Sequence, residues 1–280
     1  MITPFQSLAC PLDGAALHLN AGSWCCDAGH TYDVAAQGYT HLLPVQQKRS
    51  KDPGDSKEMI AARRRFLEAG FYAPIADAVS RVHWAGVTTG ETTHCLDAGC
   101  GDGYYLRRLA QARPAGTTLS AIGLDISKWA IQAAARQEKN MRWVVASNAH
   151  IPVQAATLDR VLCMFGFPVY PEFARVLKPG GCLIQVDAAP DHLRELREII
   201  YPSLKPERED STAVPDGFVL RDTEVLRYAL DIPTADPIAD LLVMTPHFYR
   251  AAPEGREKAA ALAHLTLTVA VKITTFERQA

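Results

Sequence analysis

The stretch that decides the fold is CLDAGCGDGY, at residues 95–104. A short apolar run predicts a strand, and it leads into a loop whose three alternating glycines let the backbone turn tightly and approach a ligand closely. A dinucleotide fingerprint, G-x-G-x-x-G, would require glycine at position 104, where the chain has Tyr104. Asp97, just before the first glycine, would repel a pyrophosphate. The loop therefore indicates a ligand site, but not a dinucleotide site.

Short apolar runs alternate with amphipathic segments around this loop. This alternation predicts a mostly parallel sheet covered on both faces, which is an α/β, Rossmann-like architecture. Ligands on such sheets bind beyond the carboxyl ends of the strands, so the residues that follow each strand are the site candidates. We predict strands at 95–96, 119–124, 143–146, 161–164 and 183–186, and helices at 104–112, 128–137 and 172–177.

The segments outside this alternation complete the predicted organisation. Asp55 and Glu58 have the spacing of a capping box, which predicts a helix that ends at Gly70, and a second helix is predicted after Pro74. Residues 191–243 look mainly helical, and 264–275 alternate like a late strand. We divide the chain into a small module at 1–45 and a large domain at 46–280, with a helical lead-in at 46–90 and a helical insertion at 190–245.

The composition is that of a folded globular protein. In 280 residues, 48% hydrophobic and 21% charged residues exclude wholesale disorder. With 29 Lys+Arg against 31 Asp+Glu the net charge is −2, so a nucleic-acid partner would need a local basic patch. The start of the chain lacks the pattern of a signal peptide, and no apolar run approaches the ~18 residues that span a bilayer. We therefore predict a cytoplasmic protein with no membrane contact.

The first 45 residues carry a cluster of metal-ligating types. They are too few to bury a core unaided, and the odd number of seven cysteines in the chain does not indicate a disulfide framework. The intervals between Cys10 and Asp13, and between Cys26 and His30, are typical of tetrahedral zinc sites. We predict structural Zn²⁺ on these four residues, with Cys25 as the alternative to Asp13. The other interpretation is a module that folds without metal.

Four landmarks in order resemble the class I S-adenosylmethionine-dependent methyltransferases. They are the D-x-G-x-G-x-G loop, an acidic residue after the second strand, a polar segment before Ile151-Pro152, and LKPGG at 177–181. The resemblance implies a Rossmann-like fold with a mostly parallel seven-stranded sheet, and S-adenosyl-L-methionine as cofactor. A Rossmann-like domain with a vestigial loop is the alternative. On this pattern the cofactor contacts are Asp97, Gly99, Gly101, Gly103, Asp125, Ser147 and Asn148.

A narrower resemblance extends over nearly the whole chain. Its motifs are HTYD at 30–33, QGY at 37–39, LLPVQ at 42–46, KDPGD at 51–55, ARR at 62–64, GFYAP at 70–74, APDHL at 189–193 and MTP at 244–246. Together they look like the 23S ribosomal RNA (guanine-N1)-methyltransferases. This resemblance implies a zinc-binding RNA-recognition module, a homodimer, and methylation of one guanine in a hairpin loop of 23S rRNA. It also implies cofactor contacts from Tyr72, Tyr105, Leu106 and His192.

Two departures from that family pattern affect the site. Asp13 stands where the family has cysteine, and CMFGF at 163–167 replaces a more polar segment. Guanine N1 carries a proton at neutral pH, so an acceptor near N1 should help to remove it. Asp187, Asp191 and His192 follow the fifth strand on the ligand side, and Asp191 and His192 are the catalytic candidates. For His192 the family pattern favours a cofactor contact over base catalysis.

Contacts to RNA need basic side chains for phosphates and aromatic rings for unstacked bases. The dense positive stretch comprises Lys48, Arg49, Lys51 and the run Arg63–Arg65, for which the alternative is a solvated helix face. Phe165 and Phe167, with Tyr170, are the candidate platforms for bases. The apolar run around Phe165 and Phe167 favours a place for both rings in the core.

The sequence is compatible with two other functions. A small-molecule methyltransferase would share the core but would need neither the module at 1–45 nor the basic residues Lys48, Arg49 and Lys51. An RNA-binding factor with an inactive methyltransferase core is disfavoured because Asp97, Gly99, Gly101 and Asp125 are all present.

Overall fold

The computed structural model describes residues 1–47, 50, 52–204, 213–245 and 251–280. The basic residues Lys48, Arg49 and Lys51 lie outside the described residues. The strands, in chain order, are β1 (Ile2–Pro4), β2 (His18–Asn20), β3 (Ser23–Cys25), β4 (Thr31–Asp33), β5 (Tyr39–His41), β6 (Thr92–Ala98), β7 (Thr118–Asp125), β8 (Arg142–Val145), β9 (Leu158–Met164), β10 (Leu177–Ala188), β11 (Phe218–Ile232) and β12 (Leu265–Arg278).

The helices cover the sheet on both sides, as the alternating pattern predicts. They are α1 (Lys57–Glu68), α2 (Ala73–Trp84), α3 (Tyr104–Gln111), α4 (Lys128–Gln137), α5 (Tyr170–Val176), α6 (Arg194–Ile200), α7 (Ala235–Met244) and α8 (Pro253–Ala260). A short 3₁₀ turn follows β5 at Val45–Gln47.

Among the described residues the central sheet has nine strands, in the order β11-β12-β10-β9-β6-β7-β8-β5, with β1 paired to β7. The pairs from β10 through β9, β6, β7 and β8 to β5 are parallel, and β12 runs antiparallel to β10 and β11. Seven of these strands lie in the large domain, as expected. Nine are found rather than seven because β1 and β5, from the first 45 residues, join the same sheet.

The central parallel strands are apolar and buried because helices pack on both of their faces. Leu119 to Leu124 in β7 are all buried, and so are Cys95 to Ala98 in β6. The carboxyl ends of β6, β7, β8 and β9 therefore meet along one edge, where ligands bind in sheets of this type. This arrangement places the glycine loop next to the residues that follow the three neighbouring strands.

The first lead-in helix begins one residue later than the capping-box prediction implies. Ser56, not Asp55, is the N-cap of α1, and its side chain accepts a hydrogen bond of 3.2 Å from the backbone N–H of Met59. Asp55 instead binds Arg63 of α1 by an ion pair. The predicted end is confirmed, because Ala69 closes the helix and Gly70 follows with φ +87°.

The prediction of a mainly helical segment at 191–243, and of a helical insertion at 190–245, is wrong in its middle. The structure has α6 and α7 at the two ends, but a fifteen-residue strand, β11, pairs with β12 between them. Most of β11 is exposed at the edge of the sheet, so its alternation of apolar and polar side chains is faint. A period of two is present only in the second half, at Leu226, Tyr228, Leu230 and Ile232.

The N-terminal module is packed against the large domain rather than separated from it. Strands β2, β3 and β4 form a small antiparallel sheet. The buried guanidinium of Arg142, on β8, lies 4.7 Å from the ring of Trp24 and donates a hydrogen bond of 3.2 Å to the Phe5 carbonyl. With β1 and β5 in the main sheet, the module and the large domain share one core. No helix within the described ranges has the length and apolar character needed to cross a membrane.

Candidate active site and metal centre

The glycine loop is held against the end of β7 by backbone hydrogen bonds. The N–H groups of Gly99 and Cys100 both donate to the Leu124 carbonyl, at 2.8 and 2.9 Å. Gly99 adopts φ +92°, which favours glycine, and a Cβ added there would meet no atom of the described residues within 4 Å. The loop thus leaves open space beside its backbone, as a site for close ligand approach requires.

Gly103 and Leu106 are two of the four predicted cofactor residues that do not line this space. Gly103 adopts φ +79°, and a Cβ on it would lie 2.4 Å from the Trp143 ring, so its glycine is required by packing. Leu106, on α3, is fully buried in the hydrophobic core. The glycines of the D-x-G-x-G-x-G pattern therefore have different roles. Gly99 leaves space for a ligand, whereas Gly103 allows the loop to pack against Trp143.

Two carboxylates stand at the ends of adjacent strands. Asp97 is fully buried, and neither of its oxygens has a hydrogen-bond partner among the described residues. Burial, followed by repulsion from Asp125, raises the pKa of Asp97 to about 8. Asp125 accepts hydrogen bonds from the N–H groups of Gly101 (2.9 Å) and Ser127 (2.7 Å), and burial raises its pKa. An unpartnered buried carboxylate suits a cationic ligand.

A cleft of 910 Å³ opens at this edge of the sheet. Four of the predicted cofactor residues do not line it, namely Asp97, Gly103, Leu106 and His192. Ser147 and Asn148 contribute from the end of β8, and the side-chain oxygen of Asn148 is buried without a partner among the described residues. Of the predicted cofactor residues, those that line the cleft are Tyr72, Gly99, Gly101, Tyr105, Asp125, Ser147 and Asn148. Together with unpartnered Asp97 and the open face of Gly99, they fit S-adenosylmethionine.

His192 lies behind the cleft and is linked to it through Tyr72. The Nδ1 atom of His192 accepts a hydrogen bond of 3.3 Å from the Ala270 N–H, so Nε2 carries the ring proton. Nε2 lies 3.3 Å from the Tyr72 hydroxyl oxygen, to which it donates. Burial raises the pKa of Tyr72 well above its usual value, so this side chain stays a neutral hydroxyl at physiological pH.

Asp191, the other catalytic candidate, does not line the cleft. Its carboxylate forms a salt bridge of 2.9 Å with Arg227 on β11, and this contact lowers the pKa of Asp191. A carboxylate with a lowered pKa that is already paired is a weak proton acceptor. Asp187 also lies outside the cleft lining, and it accepts a hydrogen bond of 2.7 Å from the Gln185 amide.

In the described part of the chain, each arginine of the run Arg63–Arg65 pairs with an acidic side chain, and Arg65 stays mostly exposed. Arg63 lines the cleft, pairs with Asp55 and donates to the Met244 carbonyl at 3.1 Å. Arg64 binds Asp102 of the glycine loop, and Arg65 makes two hydrogen bonds to Asp240 on α7. These ion pairs connect α1 to the loop and to α7, and phosphate binding by the run stays a prediction.

The segment after β9 borders the cleft with aromatic rings that are not in the core. Phe165 is 39% exposed and Phe167 is 90% exposed, and both line the cleft. The core interpretation of this apolar run is therefore wrong for both residues. Tyr170 differs, because it is half-buried and its hydroxyl donates a 3.1 Å hydrogen bond to Gln185.

The four predicted metal ligands come together at one point of the N-terminal module. One ligand atom from each of Cys10, Asp13, Cys26 and His30 lies within 4.8 Å of the others. His30 Nδ1 is 3.5 Å from Cys10 Sγ, 3.4 Å from Cys26 Sγ and 3.0 Å from Asp13 Oδ2. Cys25 is outside this group, with its sulfur 3.5 Å from the Thr31 hydroxyl.

These separations suit tetrahedral zinc. With Zn–S bonds of about 2.3 Å and Zn–N or Zn–O bonds of about 2.0–2.2 Å, the edges of the tetrahedron measure roughly 3.3–3.8 Å. The two sulfur–nitrogen distances and the 3.5 Å from Cys26 Sγ to Asp13 Oδ2 fall in that range, whereas the 3.0 Å from His30 Nδ1 to Asp13 Oδ2 is shorter than such an edge. The backbone N–H of Ala15 lowers the pKa of Asp13, so its carboxylate is ionised and able to ligate.

The fold, the glycine loop and the carboxylates of Asp97 and Asp125 define a class I S-adenosylmethionine-dependent methyltransferase. The cluster of Cys10, Asp13, Cys26 and His30 belongs to an N-terminal zinc ribbon. A model of the RlmA N-terminal zinc ribbon matches residues 8–51, and a methyltransferase-domain model matches residues 95–181.

Three curated relatives indicate the family within this class of methyltransferases. "Putative 23S rRNA (guanine-N(1)-)-methyltransferase YxjB" of Bacillus subtilis is 32% identical over 86% of both chains. "Putative 23S rRNA (guanine-N(1)-)-methyltransferase" of Micromonospora griseorubida is 36% identical over 68% of both chains. "23S rRNA (guanine(748)-N(1))-methyltransferase" of Streptomyces fradiae is 33% identical over 68% of this chain and 66% of its own. The chain belongs to the 23S rRNA (guanine-N1)-methyltransferase family.

Proposed function

We propose that this protein transfers a methyl group from S-adenosylmethionine to N1 of a guanine in a hairpin loop of 23S rRNA. The observation that carries the proposal is that relatives named for 23S rRNA guanine-N1 methylation match over as much as 86% of the chain. The cleft of this chain also has the open face of Gly99, and the buried Asp97 lies at the end of the adjoining strand β6.

Each part of the cofactor has a matching group in the cleft or at the strand ends that border it. Asp125 would hold the ribose hydroxyls with its remaining lone pairs, because each of its oxygens accepts one backbone hydrogen bond and has capacity for another. Ser147 and Asn148 would hold the adenine, and Asp97 would balance the positive charge of the amino-acid end. When bound, the cofactor supplies an electrophilic methyl carbon on a sulfonium. Gly99, Gly101 and Tyr105 would complete the pocket wall.

Methyl transfer to nitrogen is an in-line displacement, so the protein contributes mainly by positioning the acceptor. Tyr72 is fixed for this purpose, because His192 donates to its oxygen and leaves the hydroxyl proton to bind an acceptor in the cleft. His192 Nδ1 already accepts from Ala270, and Tyr72 has a raised pKa. Neither side chain is therefore set up to take the N1 proton, and both act as positioning groups.

The sequence limits how the zinc module could recognise RNA. Residues 1–45 contain neither lysine nor arginine, so this module cannot supply the charge-assisted contacts that hold phosphates. RNA binding by the module would depend on hydrogen bonds and stacking, and phosphate contacts would come from other residues of the chain. Homodimer formation and a cytoplasmic location remain parts of the proposal, on the family resemblance alone.

One experiment separates this proposal from its two rivals. The protein is incubated with methyl-labelled cofactor and, in parallel reactions, with 23S rRNA transcribed in vitro and with a metabolite extract. We expect label in the rRNA. Label only in small molecules would favour a small-molecule methyltransferase. Failure to bind the cofactor in calorimetry would favour an RNA-binding factor with an inactive core.

A further inference from the structure

The loop after β9 presents an aromatic ring to solvent at the edge of the cleft. Phe167 is 90% exposed, far more than Phe165, yet both line the same cleft as the glycine loop. An exposed phenylalanine gains little stability from packing, since burial of apolar area is what stabilises such a side chain. The position of Phe167 is therefore not explained by the fold.

The backbone around this ring is fixed in place. The Phe165 N–H donates a hydrogen bond of 2.8 Å to the Val186 carbonyl of β10, and Phe165 adopts φ +52°, in the left-handed region. A Cβ on Gly166 would come within 3.2 Å of the Cys163 sulfur, and the Asn148 amide donates to the Phe167 carbonyl at 3.4 Å. Strained backbone that its surroundings hold in place is concentrated at functional sites.

The order of strands indicates which ligand this ring would meet. Ser147 and Asn148 follow strand β8, Asp125 ends β7, and the glycine loop follows β6. Strand β9 lies on the other side of β6 from β7. A cofactor held by the first three strands leaves the end of β9 for the methyl acceptor. Phe165 closes that side, because its ring centroid lies 6.3 Å from that of Tyr72 and 6.0 Å from that of His192.

We propose that Phe167 is the platform on which the acceptor guanine stacks. This inference rests on the proposed function and deepens it by assigning a positioning residue for the RNA base. Proteins hold unstacked RNA bases on aromatic side chains, and stacking requires only a free ring face. Because the ring of Phe167 is free and its backbone is anchored, a base placed on it would face the cofactor cleft.

The test compares Phe167→Ala, Phe167→Leu and Phe167→Tyr with wild type, using unmodified 23S rRNA and methyl-labelled cofactor. We expect kcat/KM for the rRNA to fall about 5- to 150-fold in the alanine variant, the range that loss of one stacking contact produces. The leucine variant should also lose activity, and the tyrosine variant should keep it. Cofactor Kd in calorimetry should stay within about twofold, because only the RNA base is stacked on the ring.

Leu220→Ala is the matched control, since Leu220 is 43% exposed on β11 and does not line the cleft. It should keep full activity. Unchanged kcat/KM in Phe167→Ala would overturn the inference while leaving the proposed function intact. A weaker cofactor Kd with an unchanged KM for rRNA would assign the ring to the adenine and would also overturn it. A wild-type protein that methylates no rRNA would overturn the proposed function and this inference together.

Discussion

Gly103 lies so close to Trp143 that an added Cβ would come within 2.4 Å of the indole ring. For Gly99, four residues earlier in the same loop, the described part of the chain places no atom within 4 Å of the corresponding position. The two glycines share a left-handed backbone but serve different purposes, since one permits packing and the other leaves room for a ligand.

This difference predicts that two matched substitutions affect different properties, one mainly stability and the other mainly cofactor binding. Gly103→Ala should lower the free energy of unfolding by about 2–4 kcal/mol, through overpacking and backbone strain. Gly99→Ala should cost only about 1–2 kcal/mol of strain, but should weaken cofactor binding at least about tenfold because the methyl group enters the cleft. Chemical denaturation and calorimetry measure the two effects. A Gly99→Ala protein with wild-type cofactor affinity would contradict the assigned cleft.

Asp97 predicts a pH dependence of stability in the unliganded protein. Its pKa is near 3.8 in the unfolded chain and about 8 in the folded one, so the folded state binds the extra proton between those values. The stability that this proton confers is fully present below about pH 4 and is lost as the pH rises through 8. Relative to Asp97→Asn, wild type should lose stability between pH 5 and pH 8.5. Parallel curves for the two proteins would contradict the raised pKa.

The metal centre predicts that removing zinc destabilises the whole protein, because β1 and β5 of the same module belong to the main sheet. Cys26→Ser should lose zinc in elemental analysis and lower Tm by about 5–10 °C, and Asp13→Cys should retain one zinc per chain. Cys25→Ser is the control and should keep the metal, since Cys25 lies outside the cluster. Wild-type protein without zinc would refute this ligand set.

The contacts of Asp191 and Tyr72 predict unequal roles in turnover. Asp191→Asn should retain turnover within about twofold, since its carboxylate is paired with Arg227 at a partly exposed site where such pairs contribute little. Tyr72→Phe removes the hydroxyl that His192 orients, and it should lower kcat about tenfold. If the hydroxyl had only a structural role, kcat would be unchanged. Single-turnover rates on rRNA measure both. Loss of activity in Asp191→Asn would restore the general-base assignment for that residue.

Local sequence signals were sufficient for the parallel core and for much of the cleft. The strands around 95–104 are buried, so their apolar runs are clear, and the residues that follow them meet at one edge by the geometry of parallel sheets. The edge strand β11 could not be predicted in the same way, because most of its side chains are exposed and its alternation is weak.

Long-range pairing sets contacts at the site that local sequence could not predict. The Arg63–Arg65 run has the composition of a phosphate-binding face, but its partners Asp55, Asp102 and Asp240 come from three different parts of the chain. Only Asp55 is close in sequence. The salt bridge of Asp191 likewise depends on Arg227, which lies on the strand that the periodicity did not reveal.

The most direct test of the central claim is to methylate unmodified 23S rRNA with this protein and map the product by mass spectrometry of nuclease fragments. We expect a single added methyl group on N1 of one guanine within a hairpin loop, dependent on S-adenosylmethionine. Methylation at another atom or base, or label confined to small molecules, would contradict it.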